Sequence, residues 1–353
     1  MSSNTGDDDD RDQRCDDGGG GNNSGEIMLS SKKECISCVQ NNTDNITEGI
    51  ESVALQDICT CANCGKEGNS DEMNTCNKCK MVKYYNAACK KKHRTKHKKK
   101  CEKRVAELHD EQLFKETPPE ECTICMLPMP LDSSQVSFQT CCGKLICNGC
   151  FYAMEMGEEE KDLCPFCRNP LASSDKEIIK RVKELMDKGN ANAFNFFGYA
   201  CAHGRYNMSR DWTNANESWL KAGELGCADG YFQLGVSYDK GWGVEVDKEK
   251  AKHFWELAAM NGNILGRHNL GCIEGMAGNE HRAMRHMIIA AKAGYAGSLD
   301  KVKHGFKVGL VTKDEYANTL RAYQKRQLEM KSDERDEAAI VNAEIMRHIR
   351  PYV

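Results

Sequence analysis

Apolar residues follow three different patterns along the chain. Over residues 1–58 they are sparse: Asp7 to Asp10 and Gly18 to Gly21 are homopolymer runs in an Asn-, Ser- and Thr-rich setting. Such a composition cannot bury enough apolar surface to offset its ordering entropy, so 1–58 is expected to be a disordered low-complexity tail, ending in a short helix near Ile50 to Ile58. Over residues 59–172 no apolar period is visible and cysteines punctuate the chain instead. From residue 173 a helical period sets in. Ile178, Ile179, Val182, Leu185 and Met186 fall on one face and predict a linker helix over 173–190.

Beyond residue 190 the pattern repeats. Gly198, Gly235 and Gly271 recur at intervals of 37 and 36. A second marker recurs with them: Ala222-Gly223-Glu224-Leu225-Gly226, Ala258-Ala259-Met260-Asn261-Gly262 and Ala290-Ala291-Lys292-Ala293-Gly294. A fixed period in the thirties means stacked helix pairs. Small residues at matching places let the two helices of a pair approach closely, and a terminal glycine supplies the left-handed conformation that ends the second one. These helices are expected over 191–330, with a degenerate last unit ending in the helix Tyr316 to Met330, and 331–353 as a tail or further helix.

Composition changes the picture in the middle of the chain. The 353 residues include 21 cysteines, and the formal net charge is -4, so net charge points to no partner. The sequence starts MSSNTGDDDDRD, without the basic, apolar and small-residue regions of a secretory signal. No run of 18 apolar residues occurs, so no membrane partner is expected. The chain is therefore expected to be intracellular, cytoplasmic or nuclear, and its paired cysteines to hold zinc rather than form disulfides.

The first cluster reads Cys61-x2-Cys64-x11-Cys76-x2-Cys79-x9-Cys89-x7-His97-x3-Cys101. A structural zinc takes four ligands, and a C-x2-C loop supplies two sulfurs to one ion. Seven ligands are one short of two complete sites. The second cluster reads Cys122-x2-Cys125-x15-Cys141-Cys142-x4-Cys147-x2-Cys150-x13-Cys164-x2-Cys167, eight thiols that suffice for two zincs. Together the clusters predict three to four ions. The isolated pair Cys35-x2-Cys38 is read as incidental. The whole is expected to be a multidomain chain: two small zinc-stabilised finger domains (59–101 and 120–172, joined by a helical linker 102–119), followed by an all-α helical-repeat solenoid.

Three families are resembled. The unit containing Tyr238, Gly241-Trp242-Gly243-Val244, Asp247, Lys250-Ala251, Trp255 and Ala258-Ala259 resembles the Sel-like repeat, a relative of the tetratricopeptide repeat. That resemblance implies a curved scaffold with a concave face for a protein partner. The first cluster resembles the MYND finger, a partner-binding module with two interleaved zincs. The resemblance implies one site on Cys76, Cys79, His97 and Cys101, and another on Cys61, Cys64, Cys89 and residue 85. Position 85 is Tyr85, so that site is left with three thiolates and water, with a substitute ligand from His93 or Cys59, or empty. The second cluster resembles an all-cysteine RING finger. The resemblance implies a cross-brace of Cys122, Cys125, Cys147 and Cys150 with Cys141, Cys142, Cys164 and Cys167. Lys144 stands where the more usual family pattern has a histidine.

The RING resemblance also implies a function. Ile124, Pro165 and Arg168 match positions through which such fingers contact a ubiquitin-conjugating enzyme, and Arg168 matches a cation that holds the bound ubiquitin in an attack-ready pose. The finger has no catalytic chemistry of its own, because the transferring cysteine belongs to the partner. The expected function is a RING-type ubiquitin ligase whose repeats hold a protein substrate or partner. The alternative is a non-enzymatic adaptor built from the same modules. Lys90 to Arg104 carries ten Lys or Arg residues, but no aromatic interleaves them, so nucleic acid is not an expected partner.

Overall fold

The computed structural model describes residues 58–157 and 162–349. The expected tail other than Ile58, its closing helix, the Cys35-x2-Cys38 pair and the acidic stretch Glu158 to Glu160 lie outside the described residues. The chain divides into two compact units, Met1–Arg104 and Val105–Val353.

In the first unit, β1 (Ile58–Thr60) pairs antiparallel with β2 (Glu67–Asn69), and β3 (Asn74–Thr75) with β4 (Lys83–Tyr84). Helix α1 then runs Ala87–Leu113, crossing the boundary into the second unit. Its start is fixed by Asn86, whose side-chain oxygen accepts the Cys89 N–H at 2.9 Å. The buried core of this unit is Cys61, Met73, Cys76, Cys79, Tyr84, Cys89 and Cys101, so it consists largely of thiols.

The second unit begins with the end of α1. A cysteine-rich module follows, with β5 (Val136–Phe138) antiparallel to β6 (Leu145–Cys147) and helix α2 (Asn148–Met156). Helices α3 (Asp175–Asp187), α4 (Ala191–His203), α5 (Trp212–Glu224), α6 (Ala228–Lys240), α7 (Lys248–Met260), α8 (Ile264–Met276), α9 (Glu280–Lys292), α10 (Ala296–Lys307), α11 (Lys313–Glu329) and α12 (Asp333–Ile349) complete the unit. Of these, α4 to α11 pack as four successive pairs.

The repeating glycines explain the close packing of these pairs. A Cβ at Gly198 would lie 2.5 Å from the Trp219 indole nitrogen, one at Gly235 2.3 Å from the Trp255 ring, and one at Gly271 2.7 Å from the Met287 methyl. Each glycine on a first helix therefore makes room for a large side chain on the second helix of its pair. Gly226, Gly262 and Gly294 follow α5, α7 and α9 at φ +98, +95 and +107, the left-handed stop the sequence predicts. Side-chain caps from Asp211, Asp247 and Asn263 start α5, α7 and α8, and a Thr312–Glu315 capping box starts α11.

Two elements expected as linkers, and the helix of the C-terminal segment, turn out to be packed. The polar stretch after the first finger is no separate linker, because α1 continues unbroken to Leu113. Leu113 is 1% exposed and shares a core with Ala251, Trp255, Ala259 and Leu270. Buried Arg267 donates to the carbonyls of Leu113 at 2.6 Å and Ala259 at 2.7 Å, capping the ends of α1 and α7 together. Charged contacts fix the rest of the stretch, with Asp110 to Arg282 at 2.7 Å and Glu116 to Lys292 at 2.9 Å. The guanidinium groups of Arg282 and Arg285 lie over the Phe114 ring at 5.0 and 3.6 Å. The faces of α7, α8 and α9 carrying these residues are thus covered by the chain's own segment. Helix α3, expected as a linker, buries Val182 and Leu185 with Ala193, Phe138 and Phe196. Helix α12 packs against α2 of the cysteine-rich module.

Candidate metal centres

Short loops of one design present eight of the 14 cysteines in the candidate metal groups. Residues Cys61 to Gly65, Cys76 to Lys80, Cys122 to Met126 and Cys164 to Arg168 each close with the N–H of the last residue donating to the carbonyl of the first, at 3.0, 3.0, 2.8 and 2.9 Å. The closing residue is left-handed in every case: Gly65 at φ +72, Lys80 at +57, Met126 at +57 and Arg168 at +60. Three of the four are not glycine, and a left-handed side-chain residue costs about 1 kcal/mol or more. The turn aims successive backbone N–H groups at the first sulfur of each pair.

The loops converge into four groups. Cys76, Cys79, His97 and Cys101 are all buried and come together in the first unit. Cys122, Cys125, Cys147 and Cys150 form one group in the second unit, and Cys141, Cys142, Cys164 and Cys167 form the other. Within each group all ligand atoms lie within 4.8 Å of one another. The fourth group has only Cys61, Cys64 and Cys89.

These distances suit zinc. Sulfurs about 2.3 Å from a tetrahedral ion stand roughly 3.8 Å apart. The observed separations are 3.8 Å for Cys76–Cys101, Cys122–Cys150, Cys125–Cys147 and Cys142–Cys164, and 3.7 Å for Cys64–Cys89. Cys141–Cys167 is tighter at 3.4 Å, and Cys79 lies 3.2 Å from the His97 Nε2. The pattern of acidities fits as well. Burial opposes ionisation of Cys76, yet the N–H groups of Cys79 and Lys78 and the His97 side chain bring it down to about 6. Burial and the neighbouring Cys76 and Cys79 push Cys101 up to about 11. Cys122 comes down to about 6 against its burial, through the N–H groups of Cys147, Cys125 and Ile124, while Cys150 is pushed up by burial and by Cys147. In both sets the surroundings favour the thiolate at one cysteine and oppose it at another, and a divalent cation removes that opposition. The four groups suit three to four zinc ions.

The three-sulfur group shows what Tyr85 changes. Its side chain is 49% exposed, with the Lys66 ammonium 5.1 Å over the ring. Its backbone N–H still points at Cys61, and with those of Cys64 and Asn63 it brings that buried thiol down to about 6. Neither substitute joins the group. His93 stacks on His97 at 5.8 Å, and its Nδ1 lies 3.3 Å from the Tyr84 hydroxyl. Cys59 is half-buried against the finger core from β1. Lys144 sits away from ligation too, with its ammonium 4.5 Å from the Phe166 ring centre.

The residues matched to a conjugating-enzyme contact flank the two C-x2-C loops of the second module. Ile124 is 43% exposed between Cys122 and Cys125, Pro165 is half-buried between Cys164 and Cys167, and Arg168 is exposed at its left-handed position. Sequence reasoning missed Arg335 of α12. It is 9% exposed and donates to the Cys125 sulfur at 3.5 Å. No sequence signal marks it, since 210 residues separate the two.

Comparison with known proteins agrees with parts of this picture. Residues 61–101 match the family model of the MYND finger. Among solved structures the chain is similar to a Sel1 repeat protein from Oxalobacter formigenes, with 19% identity and a TM-score of 0.39, covering 50% of this chain and 71% of that one. It is also similar to a protective antigen of uropathogenic Escherichia coli displaying an SLR fold, with 23% identity and a TM-score of 0.38, covering 45% of this chain and 37% of that one. A third is an immunity protein from Pseudomonas aeruginosa, with 17% identity and a TM-score of 0.32, covering 51% and 64%. No curated protein matches the sequence. Among the described residues no helix is long and apolar enough to cross a membrane.

Proposed function

We propose that the second cysteine-rich module is a RING-type recruiter of a ubiquitin-conjugating enzyme, and that the remaining surface of the repeats holds a protein substrate or partner. The observation that carries this reading is the interleaving of eight thiols into two groups, with Ile124, Pro165 and Arg168 on the paired loops. Zinc supplies no chemistry here beyond fixing those loops. Ile124 offers an exposed apolar contact, and Arg168 offers a cation whose backbone is pinned by its own N–H to the Cys164 carbonyl at 2.9 Å. A guanidinium in that place works by positioning: it holds the partner's ubiquitin thioester where a substrate amine can attack. The amine displaces the conjugating enzyme's thiolate and forms an amide, so no nucleophile is required of this chain.

On this reading the partner binds surface of the repeats that the chain itself leaves uncovered. The faces of α7, α8 and α9 around Trp255 and Leu270 are filled by the segment ending α1. Apolar side chains still exposed on the repeats include Leu220, Trp242 and Val246, and this reading puts the partner there.

The test is single-turnover discharge of ubiquitin from a panel of charged conjugating enzymes onto free lysine. Wild type should accelerate discharge for at least one member, and Arg168→Ala should abolish most of that acceleration while zinc content stays constant. No acceleration by zinc-loaded wild type across the panel would favour the adaptor reading instead.

A further inference from the structure

The four thiolates of Cys122, Cys125, Cys147 and Cys150 would leave a bound divalent ion with a net charge of about -2. Much of this group is buried: Cys122 is 0% and Cys147 1% exposed. Uncompensated charge in such a place is costly. The structure supplies a cation from the far end of the chain. Arg335 projects from α12, and its guanidinium donates to the Pro128 carbonyl at 2.8 Å, the Met330 carbonyl at 2.9 Å and the Cys125 sulfur at 3.5 Å. Its remaining Nε is buried without a hydrogen-bond partner. A guanidinium that always carries its charge is therefore held in a nearly closed pocket with one donor unmet. Two of these bonds go to neutral carbonyls and one to a thiol, and that thiol group, once ionised, offers the guanidinium an opposite charge.

The backbone is shaped for this approach. Gly149 lies between the ligands Cys147 and Cys150, and a Cβ there would come within 2.6 Å of the Arg335 Cγ and 2.8 Å of its backbone nitrogen. The missing side chain is what lets α12 seat against α2. The same helix-to-helix contact joins the C-terminal segment to the module.

We propose that Arg335 is a positioning residue of the Cys122, Cys125, Cys147 and Cys150 centre, balancing the charge of its thiolates, and that α12 is thereby an integral wall of the cysteine-rich module. The proposal needs only that this group holds zinc, whether or not the module recruits a conjugating enzyme. The neighbouring group of Cys141, Cys142, Cys164 and Cys167 serves as an internal control, because the same fold holds it while the Arg335 bonds described above reach Cys125 and not its sulfurs.

The experiment uses the full chain with zinc content verified by elemental analysis. A chelator is added at fixed pH with a thiol-alkylating reagent, and each cysteine's alkylation rate is read by peptide mass mapping. Arg335→Met, which keeps the bulk and removes the charge, should expose Cys122, Cys125, Cys147 and Cys150 roughly 10–100-fold faster, as loss of an outer partner does at other metal centres. The other four cysteines and the helix content should not change. Arg335→Lys, which keeps the charge without the planar fork, should fall between the two. Unchanged rates at the first group would overturn the proposal. So would equal acceleration of both groups, which would mean a general loss of fold, and so would immediate alkylation of the first group in wild type, which would mean it holds no metal.

Discussion

The first finger and the helical repeats have cores of opposite kinds. Five of the seven buried core residues in the finger are cysteines, and all five belong to candidate metal groups. The repeats are built on Trp219, Leu234, Trp255, Leu270, Met287, Val302 and a series of buried alanines. A module of the finger's size cannot bury enough apolar surface to stand alone, so its folding energy is its metal-binding energy. The repeats gain theirs by stacking each pair on the next. The chain thus contains a region whose order depends on metal and a region whose order depends on packing.

Metal removal should separate the two most sharply. Structural zinc contributes apparent free energies of about 10–16 kcal/mol to small fingers, more than such a fold holds otherwise. Full chelation should therefore melt the finger and the second cysteine-rich module while the repeats persist. The four tryptophans are Trp212, Trp219, Trp242 and Trp255, all in the repeats, so their fluorescence reports that region alone. Loss of the finger's amide dispersion in NMR with unchanged tryptophan emission is the expected result. A simultaneous collapse of tryptophan emission would mean that the repeats also depend on zinc.

The next effect tests where the packed region begins. Leu113 is the last residue of α1, yet it lies inside the core of α7 and α8. Leu113→Ala should lower the stability of the repeats by roughly 2–5 kcal/mol, visible as a lower urea midpoint by tryptophan fluorescence, with zinc content unchanged. An unaltered midpoint would mean that the segment is only a tether. Here the limits of the sequence show clearly. Ligand spacing was legible because a zinc loop is local: two residues between cysteines suffice to define it. The repeat glycines were legible because each meets its partner side chain within one period, as Gly235 meets Trp255. Leu113 and Arg267 were not, because 154 residues separate the carbonyl from the guanidinium that caps it. A charged residue on a helix also reads as surface until its partners are known. Arg267 is 1% exposed because its donors are taken up by backbone carbonyls rather than by carboxylates, and no pattern of charges announces that.

The smallest expected effect lies in the same buried joint and depends on pH. His286 of α9 is 0% exposed, with its ring 4.5 Å from that of Phe114, and neither of its nitrogens has a hydrogen-bond partner. Burial, then the charges of Arg267 and Arg282, hold its pKa down to about 3, with Arg285 acting in the same direction and Glu274 partly opposing them. Unfolded, the same imidazole takes a proton near pH 6.5. Between those values the unfolded chain binds more protons than the folded one, so stability rises with pH there. The contribution is fully present above about pH 6.5 and is lost on acidification, by at most about 1.4 kcal/mol per pH unit. From pH 7 to pH 5 the repeats should lose about 2 kcal/mol through this residue alone. His286→Phe should fit the same apolar site without abandoning any hydrogen bond, and should flatten the slope. The measurement is the difference in urea midpoint between wild type and His286→Phe at pH 7, 6 and 5, read by tryptophan fluorescence so that acid release of zinc elsewhere does not enter. A difference that stays constant across that range would mean that the folded imidazole takes up its proton as readily as the unfolded one, and that burial does not hold it neutral.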